Sequence, residues 1–437
     1  MLSSEYLPLY AGAAVVAVSV HLVLQRRKRR ADVQVFEEAQ QAGLNEPASL
    51  HPVVDPNRCF GSGACAKACP EEALGIVNGK ATLVNAAACI GHGACVTACP
   101  SQALTLVFGT EKRGVDIPVL SQQFESSVPG IFVAGELGGM GLIRKTTEQG
   151  RQAMNALAAR LSDAPSKAPL DVVIVGAGPA GISAGLSAIQ HKLRYAIVEQ
   201  EDSLGGAVYH YPRNKIAMTA PVKLDLIGSM NLGSEVQKET LLSFWQDVVS
   251  RTGLRFQFSE RLESVEGRAD GSFIVRTTRS QYHCRSVMLA LGRRGSPRKL
   301  EVPGEEQPKV VYRLIDAEQY RGQHMLVVGG GDSALEAAIA LAEQPGTTVT
   351  LSYRSKAFSR VKDKNRQRLQ EMEKAGKLTV MLESNVQEIG ARDVQLMSTE
   401  GLKSLRNDAV IVCAGGVLPT SLLQSIGVRF ETKFGTA

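Results

Sequence analysis

The stretch Leu170-Asp-Val-Val-Ile-Val-Gly176-Ala-Gly178-Pro-Ala180-Gly181 decides the fold of this chain. Its apolar run reads as a buried strand that feeds directly into G-x-G-x-x-G, and a helical pattern follows. Tyr195-Ala-Ile-Val-Glu199 then supplies a second strand, ending on an acid about twenty residues beyond the glycines. A glycine triplet alone says little. With a strand before it, a helix after it and Glu199 in place, it defines a dinucleotide-binding α/β unit. The glycines turn the chain and admit a pyrophosphate to the helix N-terminus, while Glu199 takes ribose hydroxyls.

Downstream, His324-Met-Leu-Val-Val-Gly329-Gly-Gly331-Asp332-Ser333-Ala repeats the arrangement, and Thr347-Thr-Val-Thr-Leu-Ser-Tyr-Arg354 provides its second strand. This second unit is expected to bind a nicotinamide nucleotide. No acid ends its second strand, and Arg354, Lys356 and Arg360 lie at its end or just beyond. Basic residues there suit a 2′-phosphate, so NADPH is favoured, with NADH as the alternative. The competing reading of residues 354–366 is a solvated basic helix start.

Upstream, a cysteine pattern occurs twice: Cys59-Phe-Gly-Ser62-Gly-Ala-Cys65-Ala-Lys-Ala-Cys69-Pro, then Cys89-Ile-Gly-His92-Gly-Ala-Cys95-Val-Thr-Ala-Cys99-Pro. Each copy resembles the bacterial ferredoxin run C-x2-C-x2-C-x3-C-P, in which three cysteines hold one iron–sulfur cluster and the fourth ligates the other. Ser62 and His92 stand where the second cysteine is missing. By the crossed rule of that run, Cys59 and Cys65 pair with Cys99, and Cys89 and Cys95 with Cys69. Two iron–sulfur clusters are expected. Each is either a [4Fe-4S] cluster whose fourth iron is held by Ser62 or His92, or a [3Fe-4S] cluster without that iron. Zinc is a poorer match, because C-x5-C-x3-C lacks the C-x2-C pairs of structural zinc sites.

The 437 residues exceed one ordinary core, and 44% hydrophobic with 21% charged residues is a globular balance. Arg26-Arg27-Lys28-Arg29-Arg30 alone supplies five of the net charge of +6, so no nucleic-acid surface is indicated. Before it, LPLYAGAAVVAVSVHLVL over residues 7–24 has no charged side chain. As a helix it would nearly span a hydrocarbon core of roughly 30 Å. With basic residues following it, the positive-inside rule gives a single-pass anchor in lipid at the cell membrane, the bulk of the chain being cytoplasmic. Residues 31–56 read as a linker, opening with a short helix ended by Gly43. With six of eight cysteines in the double motif, a disulfide framework is not indicated.

Further motifs resemble the thioredoxin-reductase-like pyridine-nucleotide flavoproteins. Val128-Pro-Gly-Ile-Phe-Val-Ala-Gly135-Glu136 is similar to their flavin-binding strand, with residues 140–161 matching the helix that follows it. Gly205-Gly206 and Met288-Leu-Ala-Leu-Gly292 match two more of their flavin-side segments. The resemblance implies that the first dinucleotide unit binds FAD, that Gly135 lets the cofactor approach and that Glu136 accepts from its ribityl chain. The order is permuted, since this strand precedes the flavin glycine motif. The redox-active C-x2-C of thioredoxin reductases is absent: Cys284 and Cys413 have no partner at that spacing, and Cys413 reads as core packing.

The expected architecture is α/β, with two Rossmann-like domains, for FAD and NAD(P), a small α+β ferredoxin-like domain and an N-terminal transmembrane helix. Its parts are residues 1–30 (anchor), 31–56 (linker), 57–108 (clusters), 109–161 (permuted flavin strand and helix), 168–300 (FAD), 301–416 (NAD(P)) and 417–437 (return to the FAD domain). The expected function is an NAD(P)H-dependent flavin and iron–sulfur oxidoreductase. It passes electrons between NAD(P)H, FAD, the clusters and an external electron-transfer protein or membrane acceptor. The alternatives are a reductase of a small disulfide or a quinone, and a non-catalytic redox sensor. No catalytic side chain is assigned, Tyr209, His210 and Arg213 reading as a loop, and a homodimer is the assembly considered.

Overall fold

The computed structural model describes residues 7–41, 46–47, 50–111, 113–139, 141–161, 168–293, 295–358, 361–417 and 419–435. Contacts divide the chain into two units. The first comprises the described residues of 1–115, 357–366 and 433–437, and the second those of 116–356 and 367–432.

In the first unit, helix α1 (Leu7–Gln41) runs unbroken through the basic cluster. Among the described residues no helix is long and apolar enough to cross a membrane, which overturns the expected transmembrane anchor and the membrane localisation built on it. The described apolar side chains before the basic cluster, at residues 14–24, cover about 16 Å of helix, about half of a hydrocarbon core. The helix then continues to Gln41 and packs on its own unit: Asp32 Oδ2 accepts the Ile76 N–H at 2.8 Å, and Ala39 is buried against Ala87. Gly43 lies outside the described residues.

The cysteine repeats form two similar halves. Strand β1 (His51–Val54) leads to helix α2 (Ala64–Ala68) and the antiparallel pair β2 (Leu74–Val77) and β3 (Lys80–Leu83). Helix α3 (Ala94–Thr97) and β4 (Leu104–Val107) follow, with β4 pairing back on β1. Strand β5 (Val115–Pro118) leads out.

The second unit is built on two sheets. Strands β6 (Ile131–Val133), β7 (Leu170–Val175), β8 (Tyr195–Val198) and the end of β15 (Gln281–Leu289) lie parallel in the order β6-β15-β7-β8. The Val/Ile run of β7 is covered on both faces, as strands of such sheets require. Helices α4 (Ile143–Leu161) and α5 (Pro179–Gln190) pack together beside this sheet. Two short antiparallel pairs follow, β9 (Ile216–Met218) with β12 (Glu235–Gln237) and β10 (Val222–Leu224) with β11 (Gly228–Met230). Helix α6 (Lys238–Thr252) ends at Gly253, and β13 (Leu262–Gly267) and β14 (Phe273–Thr277) extend the sheet antiparallel. Trp245, Phe132, Met154 and Leu157 are wholly buried in this core.

The chain crosses to the second sheet and back along β16 (Ser296–Pro297) and β25 (Gly416–Val417), which pair antiparallel. That sheet is parallel throughout, in the order β17 (Val310–Val311), β24 (Ala409–Val412), β18 (His324–Val328), β19 (Thr348–Ser352), β20 (Leu378–Met381). Helix α7 (Asp332–Ala342) follows β18, and β21 (Asn385–Ile389), β22 (Asp393–Ser398) and β23 (Gly401–Arg406) form an antiparallel layer.

Candidate cofactor sites

The glycine motif sits where β7 turns into α5. Gly176 has φ +113°, and a Cβ there would lie 2.4 Å from the Ala290 carbonyl oxygen. A Cβ on Gly181 would lie 1.8 Å from the Gly176 oxygen, so this glycine locks helix to strand. At Gly178 the space is open: the nearest atom to a Cβ would be Gly206 Cα at 3.8 Å. Gly205 donates its N–H to Ala177 O at 2.9 Å, which brings Gly205-Gly206 against the same turn. Ala180, on α5, is almost buried. Pro179 occupies the first helical turn, where a missing N–H leaves no bond unmade.

Glu199 follows β8 and is buried. Its Oε2 accepts the Ala177 N–H at 2.6 Å and its Oε1 the Glu201 N–H at 3.0 Å. Burial raises its carboxyl above the ordinary range, with these backbone donors opposing.

The transposed strand joins the same sheet: Ile131, Phe132 and Val133 pair with Val287, Met288 and Leu289. That brings Gly135 and Glu136 to the end of the sheet where Ala290 meets Gly176. Two neighbours were not visible in the sequence. Gln149, on α4, accepts the Gly135 N–H at 3.0 Å. Burial pulls the Arg293 guanidinium below its ordinary range, opposed by nearby Glu136 and Asp116. Gly292, beside Arg293, has no atom within 4 Å of a Cβ position. Residue 140 lies outside the described residues.

In the second sheet Gly329 N–H bonds Ser352 O at 2.9 Å, and a Cβ on Gly331, before α7, would meet nothing within 4 Å. Asp332 and Ser333 form the first turn of α7. Ring atoms of Tyr353 lie about where a Gly330 Cβ would be, which stacks that ring on the loop. Arg354 is exposed and Lys356 lies 3.9 Å from Glu383, while Arg360 is outside the described residues. Cys413 is half-buried just past β24 with its thiol toward Ser333 O at 3.9 Å, so it borders this loop rather than filling the core. Cys284 is fully buried in β15, and burial pushes its thiol up to about 12. His210 lies 3.5 Å from Glu201 and bonds Arg313, and Arg213 lies 3.8 Å from Asp316. These loop residues are thus occupied in tying segments together.

In the first unit the cysteines gather crosswise. Burial raises the Cys65 thiol, and neighbouring Cys59 and Cys99 raise it further. Cys95 is pushed up to about 11 by burial, with Cys89 and Cys69 contributing. Cys89 is likewise raised by burial, then by Cys69 and Glu71. The trios are therefore Cys59, Cys65, Cys99 and Cys69, Cys89, Cys95, the second lining a pocket with His92 and Glu71. At the first, Cys59 Sγ accepts the Ala81 N–H at 3.4 Å and Cys99 Sγ the Ala103 N–H at 3.3 Å. Burial would raise Cys99, yet hydrogen bonds led by the Ser101 hydroxyl hold it below the ordinary thiol value. Ser62 is exposed, and its hydroxyl accepts the Ala64 N–H at 3.4 Å. Among the described residues no group of three His, Cys, Asp or Glu fits a single metal ion. A multi-iron cluster needs its thiolates spread around it, so the cysteine donor set fits a cluster rather than a mononuclear site.

Residues 173–434 match the pyridine nucleotide-disulphide oxidoreductase family, and the chain belongs to it. Residues 51–100 match the 4Fe-4S dicluster domain. The chain is thus a flavin-dependent pyridine-nucleotide oxidoreductase fused to an iron–sulfur domain, with FAD, NADP(H) and iron–sulfur as its cofactors. It is 33% identical over 253 residues, 56% of this chain and 73% of the relative, to a ferredoxin–NADP reductase of Pediococcus pentosaceus. It is 26% identical to the bacilliredoxin reductase Bdr of Bacillus subtilis, over 60% of this chain and 82% of that one. The solved bacillithiol disulfide reductase Bdr of Staphylococcus aureus superposes with a TM-score of 0.53 at 25% identity, covering 60% of this chain and 80% of that one.

Proposed function

We propose that this enzyme exchanges electrons between NADP(H) and a one-electron partner protein, its two cysteine trios each holding an iron–sulfur cluster. The observation that carries this reading is the gathering of six cysteines into two crossed trios in a flavoprotein whose other two cysteines lack a C-x2-C partner. Bound FAD takes electrons from a nicotinamide in pairs and releases them singly, which matches clusters that carry one electron each.

The residues divide this work. Gly176, Gly178, Ala180 and Gly181 present the α5 N-terminus to the FAD pyrophosphate, where helix dipole and free N–H groups favour an anion. Glu199 offers its carboxylate to the ribose, Gly205 and Gly206 keep the turn open, and Gly135, Glu136 and Gly292 border the ribityl and ring region. Gly329, Gly331, Asp332 and Ser333 do the same for the nicotinamide nucleotide at α7, with Arg354 and Arg360 toward a 2′-phosphate. The boundaries that accompany this reading are 57–108 for the clusters, 168–300 for FAD and 301–416 for NADP(H), with 109–161 and 417–437 completing the FAD domain.

The test compares NADPH-driven reduction of a ferredoxin or cytochrome by the parent with that by a Cys65→Ser/Cys95→Ser chain that keeps its flavin. At least a tenfold loss is expected; undiminished turnover removes the clusters from the route. The similarity to bacilliredoxin and bacillithiol disulfide reductases supports a second reading, reduction of a small disulfide. The same pair of proteins separates it, because disulfide reduction would survive cluster removal.

A further inference from the structure

The two repeats have nearly the same backbone at the position of the missing cysteine. Ser62 lies between Gly61 (φ +70°) and Gly63 (φ +76°), and His92 between Gly91 (φ +72°) and Gly93 (φ +82°). The glycines that follow each cap a short helix carrying the next cysteine, Cys65 or Cys95. With geometry so alike, the difference between the sites is one of side-chain chemistry. Ser62 turns its hydroxyl back onto the Ala64 N–H of its own helix. A hydroxyl must also shed a proton far more tightly held than a thiol's before it becomes a strong iron ligand. His92 lines the same pocket as Cys69, Cys89 and Cys95. A neutral imidazole presents a lone pair near pH 7 without that cost, and it is a good donor to iron.

We infer that the two sites are built for different clusters. His92 completes the Cys69, Cys89, Cys95 site as a four-iron site, while the Cys59, Cys65, Cys99 site has no fourth protein ligand and holds three irons. This rests on the reading above that the trios bind clusters. Glu71 is the competing donor in the second pocket, but its carboxylate faces Lys362 at 3.9 Å within the same unit. At the first site Ser101 takes the corresponding place and lies 3.6 Å from Cys99 Sγ, so the two halves differ there as well.

The experiment uses the full chain purified without oxygen, with iron and sulfide counted per flavin and EPR recorded on oxidised and reduced samples. The parent is expected to carry about seven irons and one oxidised three-iron signal per chain. His92→Ala should fall to about six irons and double that signal, and Ser62→Ala and Glu71→Gln should match the parent. Ser62→Cys restores a fourth thiolate, so it should rise to about eight irons and lose the oxidised signal. If His92→Ala disturbs its loop and loses the whole site, ligation is read on the parent instead. Substituting 15N-histidine must then change the nitrogen coupling in pulsed EPR of the reduced four-iron cluster. Eight irons and no three-iron signal in the parent overturn the inference, as does an absent nitrogen coupling or an iron loss in Glu71→Gln. A chain that binds flavin but no iron overturns the cluster reading itself, a result distinct from these.

Discussion

Asp171 shows how much one side chain can hold without touching a cofactor. It is 8% exposed at the start of β7, the end remote in sequence from the glycine turn. It accepts from Arg194 Nη2 at 2.9 Å, Nε at 3.1 Å and the Arg194 backbone N–H at 2.9 Å, with Arg285 Nη1 at 3.4 Å. The Arg194 guanidinium holds the carboxyl below the ordinary carboxylate range, against the effect of burial. A folded-state pKa below the unfolded one means stability that is present above about pH 3.9 and lost as pH falls through the folded value. Asp171→Asn is therefore expected to destabilise by about 1–3 kcal/mol at pH 7, with Arg194's exposure keeping the cost below that of a fully buried pair. Denaturant midpoints of the flavin-loaded parent and variant check this. The gap should narrow as pH falls below about 4, and a gap independent of pH would contradict the ion-pair origin. No local pattern singled out Asp171, because its partners lie 23 and 114 residues away. Glu199 was legible because a strand–turn–helix rule fixes where an acid must fall.

Among the elements, α4 and α5 make the closest approach that the flavin sheet depends on. A Cβ on Gly150 of α4 would lie 2.1 Å from the Ala180 carbonyl oxygen and 3.0 Å from its Cα, so only glycine lets the helices meet there. Helix α4 also carries Gln149, which holds Gly135, and α5 starts at the open glycine turn. Gly150→Ala must push the helices apart, at a cost of about 1–3 kcal/mol, and should lower bound flavin per chain together with the thermal midpoint. Full flavin occupancy with an unchanged midpoint would show that the helices yield freely. The strand β6 and its helix were legible from a motif, and their return to the sheet beside β15 followed from it. Gln149, Gly150 and Arg293 were not, since each matters through a contact that spacing along the chain does not encode. The N-terminal helix shows the opposite error. An apolar run with basic residues after it satisfied the local rule for an anchor, but the helix continues to Gln41 with Asp32 bonding the edge of β2.

At the scale of the whole molecule, what the chain lacks is as informative as what it carries. All eight cysteines are free, and six of them belong to the trios. Cys284 is sealed in a strand with its thiol raised to about 12, and Cys413 borders the second nucleotide loop. A flavoprotein that works through a thiol pair stores two electrons in the flavin and two more in the disulfide. One that works through clusters stores two in the flavin and one in each cluster. The totals coincide at about four per chain for either device alone, but a chain using both would take about six. Anaerobic reductive titration is therefore expected to take up about four electrons per chain. Cys284→Ser and Cys413→Ser should leave that figure unchanged, and cluster removal should lower it to about two. Denatured, cluster-free protein should release eight titratable thiols without prior reduction. An uptake near six that falls to about four in Cys413→Ser would instead reveal a thiol couple beside the nicotinamide site, and would move the enzyme toward the disulfide-reducing branch of its family.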